Sequence, residues 1–162
     1  MKWNPVNNQG KIHDLEHIWP HNIEFSHNDI TALIRVTYGF HVYTDEKENG
    51  DELLNKGERR YFSPQRYDLS FELPEYIKTM LHTGNVTLYK SQKGKEQLFH
   101  MSVLDYALFF TLRKPQDEGG ALKLHLISAY EVEEWGKSTL PRGKTYKWTF
   151  VIYSKLAGNK IS

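Results

Sequence analysis

The residues from 59 to 70, which lead into a predicted helix, combine three arginines, two tyrosines and two serines. Guanidinium groups bind phosphate through paired hydrogen bonds and stack on bases, and tyrosine rings offer a further stacking plane. We therefore expect a surface for nucleic acid or another anion, built from Arg59, Arg60, Arg66, Tyr67 and Ser70. In the structural alternative, Arg66 pairs with Asp68 or Glu72. Ser70 then only caps the helix.

A second candidate group lies at the end of a predicted strand, where His41, Tyr43 and Asp45 stand two apart. Alternate residues of a strand share one face, so this spacing places an imidazole, a hydroxyl and a carboxylate side by side. The reference pKa of histidine, about 6.5, suits His41 to proton transfer at neutral pH. The alternative is a histidine that only forms a hydrogen bond at the strand end.

Ser128 and Tyr130 form a third candidate group, on the strand face that also carries Leu126. That face changes from apolar to hydroxyl-bearing as the strand ends, which is typical of a strand that ends at a cleft. In the alternative, the strand ends at the surface, with the Tyr130 ring packed and its hydroxyl in water.

Three histidines stand four residues apart near the start of the chain, at His13, His17 and His21. On a continuous helix they would share one face and offer imidazole ligands to a metal. Pro20 argues against such a helix, because proline disfavours the α conformation at the residue before it. We therefore favour no metal and expect no cofactor, and these three histidines are the candidates for a metal site.

Composition and missing motifs exclude several classes of protein. The chain has no cysteine, which excludes disulfides, thiolate metal sites and cysteine nucleophiles. A net charge of +1 gives no overall field for duplex DNA, although a local basic groove is compatible with it. The sequence has no glycine-rich phosphate loop, G-x-S-x-G elbow or H-E-x-x-H pair, the motifs of nucleoside triphosphatases, serine hydrolases and zincins.

Length and segment composition predict one domain over residues 1–162, because a chain of this size buries one ordinary core. Residues 1–21 lack a sustained apolar period and predict an irregular arm. Residues 45–58 are rich in charge, so we expect an exposed loop there. No apolar run approaches the roughly 18 residues that cross a bilayer, and the first residues lack the apolar core of a secretory signal. We therefore expect a cytoplasmic protein without membrane contact.

Alternating apolar residues predict two strands within 23–44 and further strands at 86–89, 97–103, 106–112, 122–130 and 146–152. One helix is predicted near residues 73–82, with Ser70 or Glu72 as its cap. Short polar connections, with turn signals at 92–95 and 117–120, favour antiparallel pairing. The pattern predicts an α+β fold, a mainly antiparallel curled sheet of about six to eight strands with one principal helix.

Several motifs together resemble a group of small uncharacterised bacterial proteins carried on prophages, plasmids and chromosomes. They are His-Asp-Leu-Glu-His at 13–17, Phe-His-Val-Tyr-Thr-Asp at 40–45, Arg-Tyr-Phe-Ser-Pro-Gln-Arg-Tyr-Asp-Leu-Ser at 60–70, Tyr-Ala-Leu-Phe-Phe at 106–110 and Ser-Ala-Tyr at 128–130. The resemblance implies an origin on a mobile element and no established activity. A strand series that ends in Ser-Ala-Tyr is also loosely similar to the small ribonuclease toxins grouped with barnase, colicin D and RelE.

These observations leave three functional hypotheses. The first is a non-enzymatic binding module of mobile-element origin, which uses the arginine and aromatic surface to bind RNA or a protein. The second is a metal-independent ribonuclease, in which His41 transfers a proton and Arg60 and Arg66 hold the phosphate. Tyr67 or Tyr130 would then stack on a base. The third is a histidine-rich metal-binding protein.

Overall fold

A computed structural model describes residues 1–90, 97–103, 105–116, 120–132 and 140–161 of the chain. Its strands are β1 (Val6–Asn8), β2 (Lys11–His13), β3 (His21–His27), β4 (Ile30–His41), β5 (Thr44–Asp45), β6 (Glu52–Asn55), β7 (Glu58–Phe62), β8 (Asn85–Lys90), β9 (Gln97–Val103), β10 (Tyr106–Arg113), β11 (Leu122–Glu131) and β12 (Lys144–Lys147). Its helices are α1 (Pro64–Ser70), α2 (Leu73–Thr83) and α3 (Trp148–Leu156), and a 3₁₀ turn lies at Glu16–Ile18.

Seven of these strands form a curled main sheet in the order β12-β8-β9-β10-β11-β4-β3. Neighbouring strands in it are antiparallel except for β11 and β4, which are parallel. The carboxyl ends of β4 and β11 therefore meet at the same edge of the sheet. β5, β7 and β6 form a small separate sheet, and β1 pairs with β2. The predicted α+β fold with a mainly antiparallel curled sheet is confirmed.

One face of the main sheet carries the core, because alternate residues of a strand point to the same side. On β4 and β11 its buried residues are Ile34, Val36, Tyr38, Leu122, Leu124 and Leu126. Helices α2 and α3 cover this face, and the ring of Trp148 in α3 stacks on Phe110 with centroids 4.8 Å apart. Burying each such apolar side chain stabilises the fold by roughly 1.5–3 kcal/mol. We call the other side, away from α2 and α3, the outer face.

Helix α2 confirms the helix predicted at 73–82, and it begins after Glu72. Ser70, the other predicted cap, instead ends α1 and donates a hydrogen bond to the Tyr67 carbonyl. α2 is the longest of the described helices, and α1 and α3 are two further helices that the sequence pattern does not predict. The Ser63 hydroxyl caps α1 by accepting a hydrogen bond from the Arg66 amide.

The predicted strand at 146–152 is also wrong beyond Lys147, where β12 ends and α3 begins. Trp148, Val151 and Ile152 are buried, which is the spacing of one helix face. The indole nitrogen of Trp148 lies 3.3 Å from the sulfur of Met101, so packing on the core outweighs the strand propensity of the aromatic residues.

The segments predicted to be irregular contain regular structure. Residues 1–21 hold β1, β2 and the 3₁₀ turn, whose Ile18 is fully buried. Residues 45–58 hold β6, which forms a hairpin with β7. The predicted turn at 92–95 and residues 117–119 of the other predicted turn lie outside the described residues. The single-domain organisation stays a prediction.

None of the helices in the described parts of the chain has the length and apolar character needed to cross a membrane.

Candidate functional site

Three basic side chains lie in line across the outer face of the main sheet. Arg113 of β10 stands opposite Lys123 of β11, which in turn stands opposite Arg35 of β4. We call these three residues the basic row. Neighbouring strands lie about 4.8 Å apart, and like charges directly opposite each other destabilise a sheet. Because no described carboxylate forms an ion pair with any of the three, the stability of the sheet does not explain them.

His125 lies two residues beyond Lys123 on the same face, with its Nδ1 atom 2.8 Å from the Thr37 hydroxyl oxygen. Burial lowers the pKa of this imidazole, and four positive charges lower it further. They belong to Lys123, the amino terminus, Arg113 and Lys56. The electrostatic potential at this part of the outer face is therefore positive, although the whole chain carries a net charge of only +1.

His41 ends β4 and contacts a carboxylate of the small sheet, with its Nε2 atom 2.7 Å from Oε2 of Glu58. Ser128 stands opposite His41 on β11. The predicted shared face of His41, Tyr43 and Asp45 does not form, because β4 ends at His41. Tyr43 lies in the core instead.

Arg60 is enclosed by the protein, with a side chain only 7% exposed. Its Nε atom donates a hydrogen bond to the Thr44 hydroxyl at 2.9 Å, and its Nη2 atom donates to the Thr44 carbonyl at 3.2 Å. The guanidinium is therefore not available to the phosphate that the ribonuclease hypothesis assigns to it. Its neighbour Arg59 is 67% exposed and pairs with Glu52.

Arg66 and Tyr130 come together in the structure, with the guanidinium carbon 5.2 Å from the centre of the tyrosine ring. The Nη1 atom of Arg66 donates hydrogen bonds to the carbonyls of His41 at 3.0 Å and Thr44 at 2.8 Å. The Nε atom of Arg66 lies 3.9 Å from Oδ2 of Asp45. The ion-pair partner of Arg66 is therefore neither Asp68 nor Glu72, the two that the sequence suggests. These contacts fix the guanidinium against the ends of β4 and β11.

The fixed guanidinium forms one wall of a cleft of about 240 Å³ at the edge where β4 and β11 end. We call this cavity the Arg66 cleft. Its lining residues are Asp45, Lys47, Gln65, Arg66, Tyr130 and Glu131. The Gln65 amide nitrogen donates a hydrogen bond to Oε2 of Glu131 at 2.5 Å. With two cations, two carboxylates and an amide, the cleft suits a ligand that has hydrogen-bond donors and acceptors side by side.

Tyr67 and Ser70 contact the first residues of the chain instead of the cleft. The ring of Tyr67 lies 4.9 Å from that of His13, and the Ser70 hydroxyl oxygen lies 2.6 Å from Nε2 of His17. The five residues predicted to form one anion surface therefore do not lie together. Arg59 is exposed, Arg60 is buried, Arg66 lines the cleft, and Tyr67 and Ser70 contact His13 and His17.

The three candidate metal ligands near the start of the chain take separate partners. His17 stacks on Phe71 with centroids 3.7 Å apart, and Nε2 of His21 lies 2.8 Å from the Tyr38 hydroxyl oxygen. His13 packs on an aromatic ring of β7. Within the part of the chain that the structure describes, no three His, Asp or Glu side chains are grouped to hold a metal.

Fold and site together define a small α+β protein with a basic sheet face and, at the edge of that sheet, a cleft of mixed charge. The model of the YjaZ family matches residues 5–156, so the chain belongs to the YjaZ family. Searches among curated proteins and among solved structures found no match.

The basic row is missing from the site residues predicted from the sequence. Arg35 and Lys123 each stand between two buried apolar residues of an alternating strand, which is a signal that they face away from the core, and Arg113 follows the buried Leu112. The register that aligns the three strands is not visible in the sequence.

We expect Arg60→Ala to lower the free energy of unfolding by about 2–3 kcal/mol, because it leaves the buried Thr44 hydroxyl without its donor and removes one of the two donors to the Thr44 carbonyl. The adjacent Arg59→Ala is the matched control and should change it by less than about 1 kcal/mol, since an exposed ion pair contributes little. Urea denaturation of both variants measures the difference. Equal losses would contradict the buried role of Arg60.

We also expect acid to destabilise the protein, because burial lowers the pKa of His17, His21 and His125 in the folded state. Near pH 6.5 the unfolded chain binds protons that the folded chain does not, so the free energy of unfolding falls as the pH drops. His125→Gln should reduce this fall between about pH 7.5 and pH 5.5, measured by chemical denaturation. The control is His82→Gln at an exposed helix position. An unchanged pH dependence in His125→Gln would refute the assignment.

Proposed function

We propose that this member of the YjaZ family is a non-enzymatic module that binds single-stranded RNA across its outer face. The observation that supports the proposal is the basic row, in which Arg113, Lys123 and Arg35 align without a described acidic partner. Lysine and arginine side chains bind phosphate and release its counterions, which gives a polyanion its affinity. The charges are spread over three strands, which suits a polymer better than a single small anion.

A single strand suits this surface better than a duplex does. An RNA duplex holds its base edges in a deep, narrow major groove, which a broad sheet face does not enter. Unpaired RNA can lie on the exposed end of this face, around the basic row, with its backbone against basic side chains and its bases free for other contacts. A protein partner has less support, because the centres of protein interfaces are depleted of charge.

A ribonuclease is the second candidate, and the contact of His41 with Glu58 favours it, because a carboxylate orients a histidine for proton transfer. Two observations favour binding without cleavage. Arg60 is enclosed by the protein. His125, the other histidine near this edge of the sheet, stands opposite Thr37. Thr37 lies four residues before His41, so the two histidines are about 13 Å apart along the strand direction. Two imidazoles at that separation do not act on one phosphodiester.

Metal binding, the third hypothesis, loses support because the histidines near the start of the chain do not converge. The mobile-element origin and the cytoplasmic location stay predictions from the sequence.

The test is binding of the protein to a labelled oligouridylate of about 20 nucleotides, followed by fluorescence anisotropy at several salt concentrations. Three phosphate contacts predict a slope of about −2 in log affinity against log salt, or a roughly 20-fold loss between about 50 and 200 mM. In the variant Arg35→Gln/Lys123→Gln/Arg113→Gln the slope should approach zero, and the affinity at low salt should fall at least about tenfold.

The control variant Lys11→Gln/Lys78→Gln/Lys160→Gln removes the same charge from exposed positions outside the row. It should keep the wild-type slope. Equal weakening by both variants, or no binding by the wild type, would overturn the proposal. Intact RNA after incubation with EDTA supports binding alone, whereas products that disappear with His41→Ala would favour the ribonuclease.

A further inference from the structure

We propose that the Arg66 cleft binds an unpaired guanine base of the same RNA strand. The inference rests on the proposed function and adds a base preference to it. The cleft is a separate place from the basic row, and its side chains differ in kind: the row offers positive charge alone, whereas the cleft offers donors and acceptors side by side.

The position of the cleft allows one RNA strand to reach both places. Lys123 of the basic row and Tyr130 of the cleft lie on the same strand, β11, seven residues apart. At about 3.3 Å per residue this is roughly 23 Å, a span of a few nucleotides. An RNA backbone that follows β11 from the row therefore arrives at the cleft.

The hydrogen-bonding groups of the cleft match the edges of guanine. Guanine has donors at N1 and at its 2-amino group, and acceptors at O6 and N7. Glu131 supplies a carboxylate for the two donors, and the amide of Gln65 holds one of its oxygens at 2.5 Å. The ammonium of Lys47 is the donor for the acceptor edge.

Arg66 also provides a plane for stacking. Its guanidinium is held by the carbonyls of His41 and Thr44 and lies over the ring of Tyr130. Planar guanidinium groups stack on bases, and one fixed by its own hydrogen bonds loses little freedom when a base arrives. A base in the cleft would extend the stack that Tyr130 and Arg66 already form.

The carboxylate of Glu131 distinguishes guanine from the other bases. Adenine presents an acceptor at N1, which a carboxylate repels. Uracil and cytosine each lack the pair of neighbouring donors that binds both carboxylate oxygens. A well-placed paired contact of this kind discriminates by about tenfold or more against the wrong base.

The experiment compares oligouridylate with the same oligomer carrying one central guanosine, and adds guanosine monophosphate as a free ligand. The wild type should bind the guanosine-containing oligomer about tenfold more tightly. Glu131→Gln should remove this preference without weakening the binding of oligouridylate. The control Glu75→Gln makes the same change of charge on α2 and should keep the preference. Thermal unfolding confirms that both variants fold.

The outcomes separate this inference from the proposed function. Binding of both oligomers with equal affinity would overturn the guanine cleft and leave RNA binding in place. If the wild type binds guanosine monophosphate, Glu131→Gln does not, and neither oligomer binds, the result would overturn RNA binding and support a guanine site in the cleft. Tighter binding of an oligomer with a central adenosine than of one with guanosine would also overturn the assignment.

Discussion

The carbonyl oxygen of Thr44 accepts hydrogen bonds from two guanidinium groups, and the candidate site depends on this shared contact. Arg60 reaches it from β7 at 3.2 Å and Arg66 from α1 at 2.8 Å. Burial lowers the pKa of Arg66, and the charge of Arg60 lowers it further, while Asp45 acts in the opposite direction. The contact joins β5, β7 and α1, and a second hydrogen bond of Arg66, to the His41 carbonyl at 3.0 Å, ties α1 to the end of β4. The two hydrogen bonds of Arg66 together hold the wall of the Arg66 cleft that its guanidinium forms.

The two faces of the main sheet perform different tasks. The face under α2 and α3 is apolar and supplies the stability of the fold. The outer face carries the basic row, whose aligned charges cost stability in the free protein. A bound polyanion would neutralise those charges, so that the cost in the free protein becomes a gain on binding. This is the physical reason to place the function on the outer face.

The sequence predicts the fold class better than the site. Apolar alternation finds the strands of the main sheet but not those of the two small sheets, and the spacing of Ile77 and Leu81 finds α2, because both patterns are set by local geometry. The same alternation misleads at Trp148, where packing on the core selects a helix. Arg59 and Arg60 are neighbours of the same type, and only the register of β7 decides which is enclosed. Strand register and long-range packing are therefore what the single sequence does not contain.

The central claim, that RNA lies across the outer face, is tested most directly by mapping the contact on the wild-type protein. Backbone amide chemical shifts would be recorded by NMR while oligouridylate is added at low salt. The account predicts that the largest changes fall on β10, β11 and β4 around Arg113, Lys123 and Arg35, and that they reverse when salt is raised. Changes confined to α2 and α3, or no change at all, would contradict it.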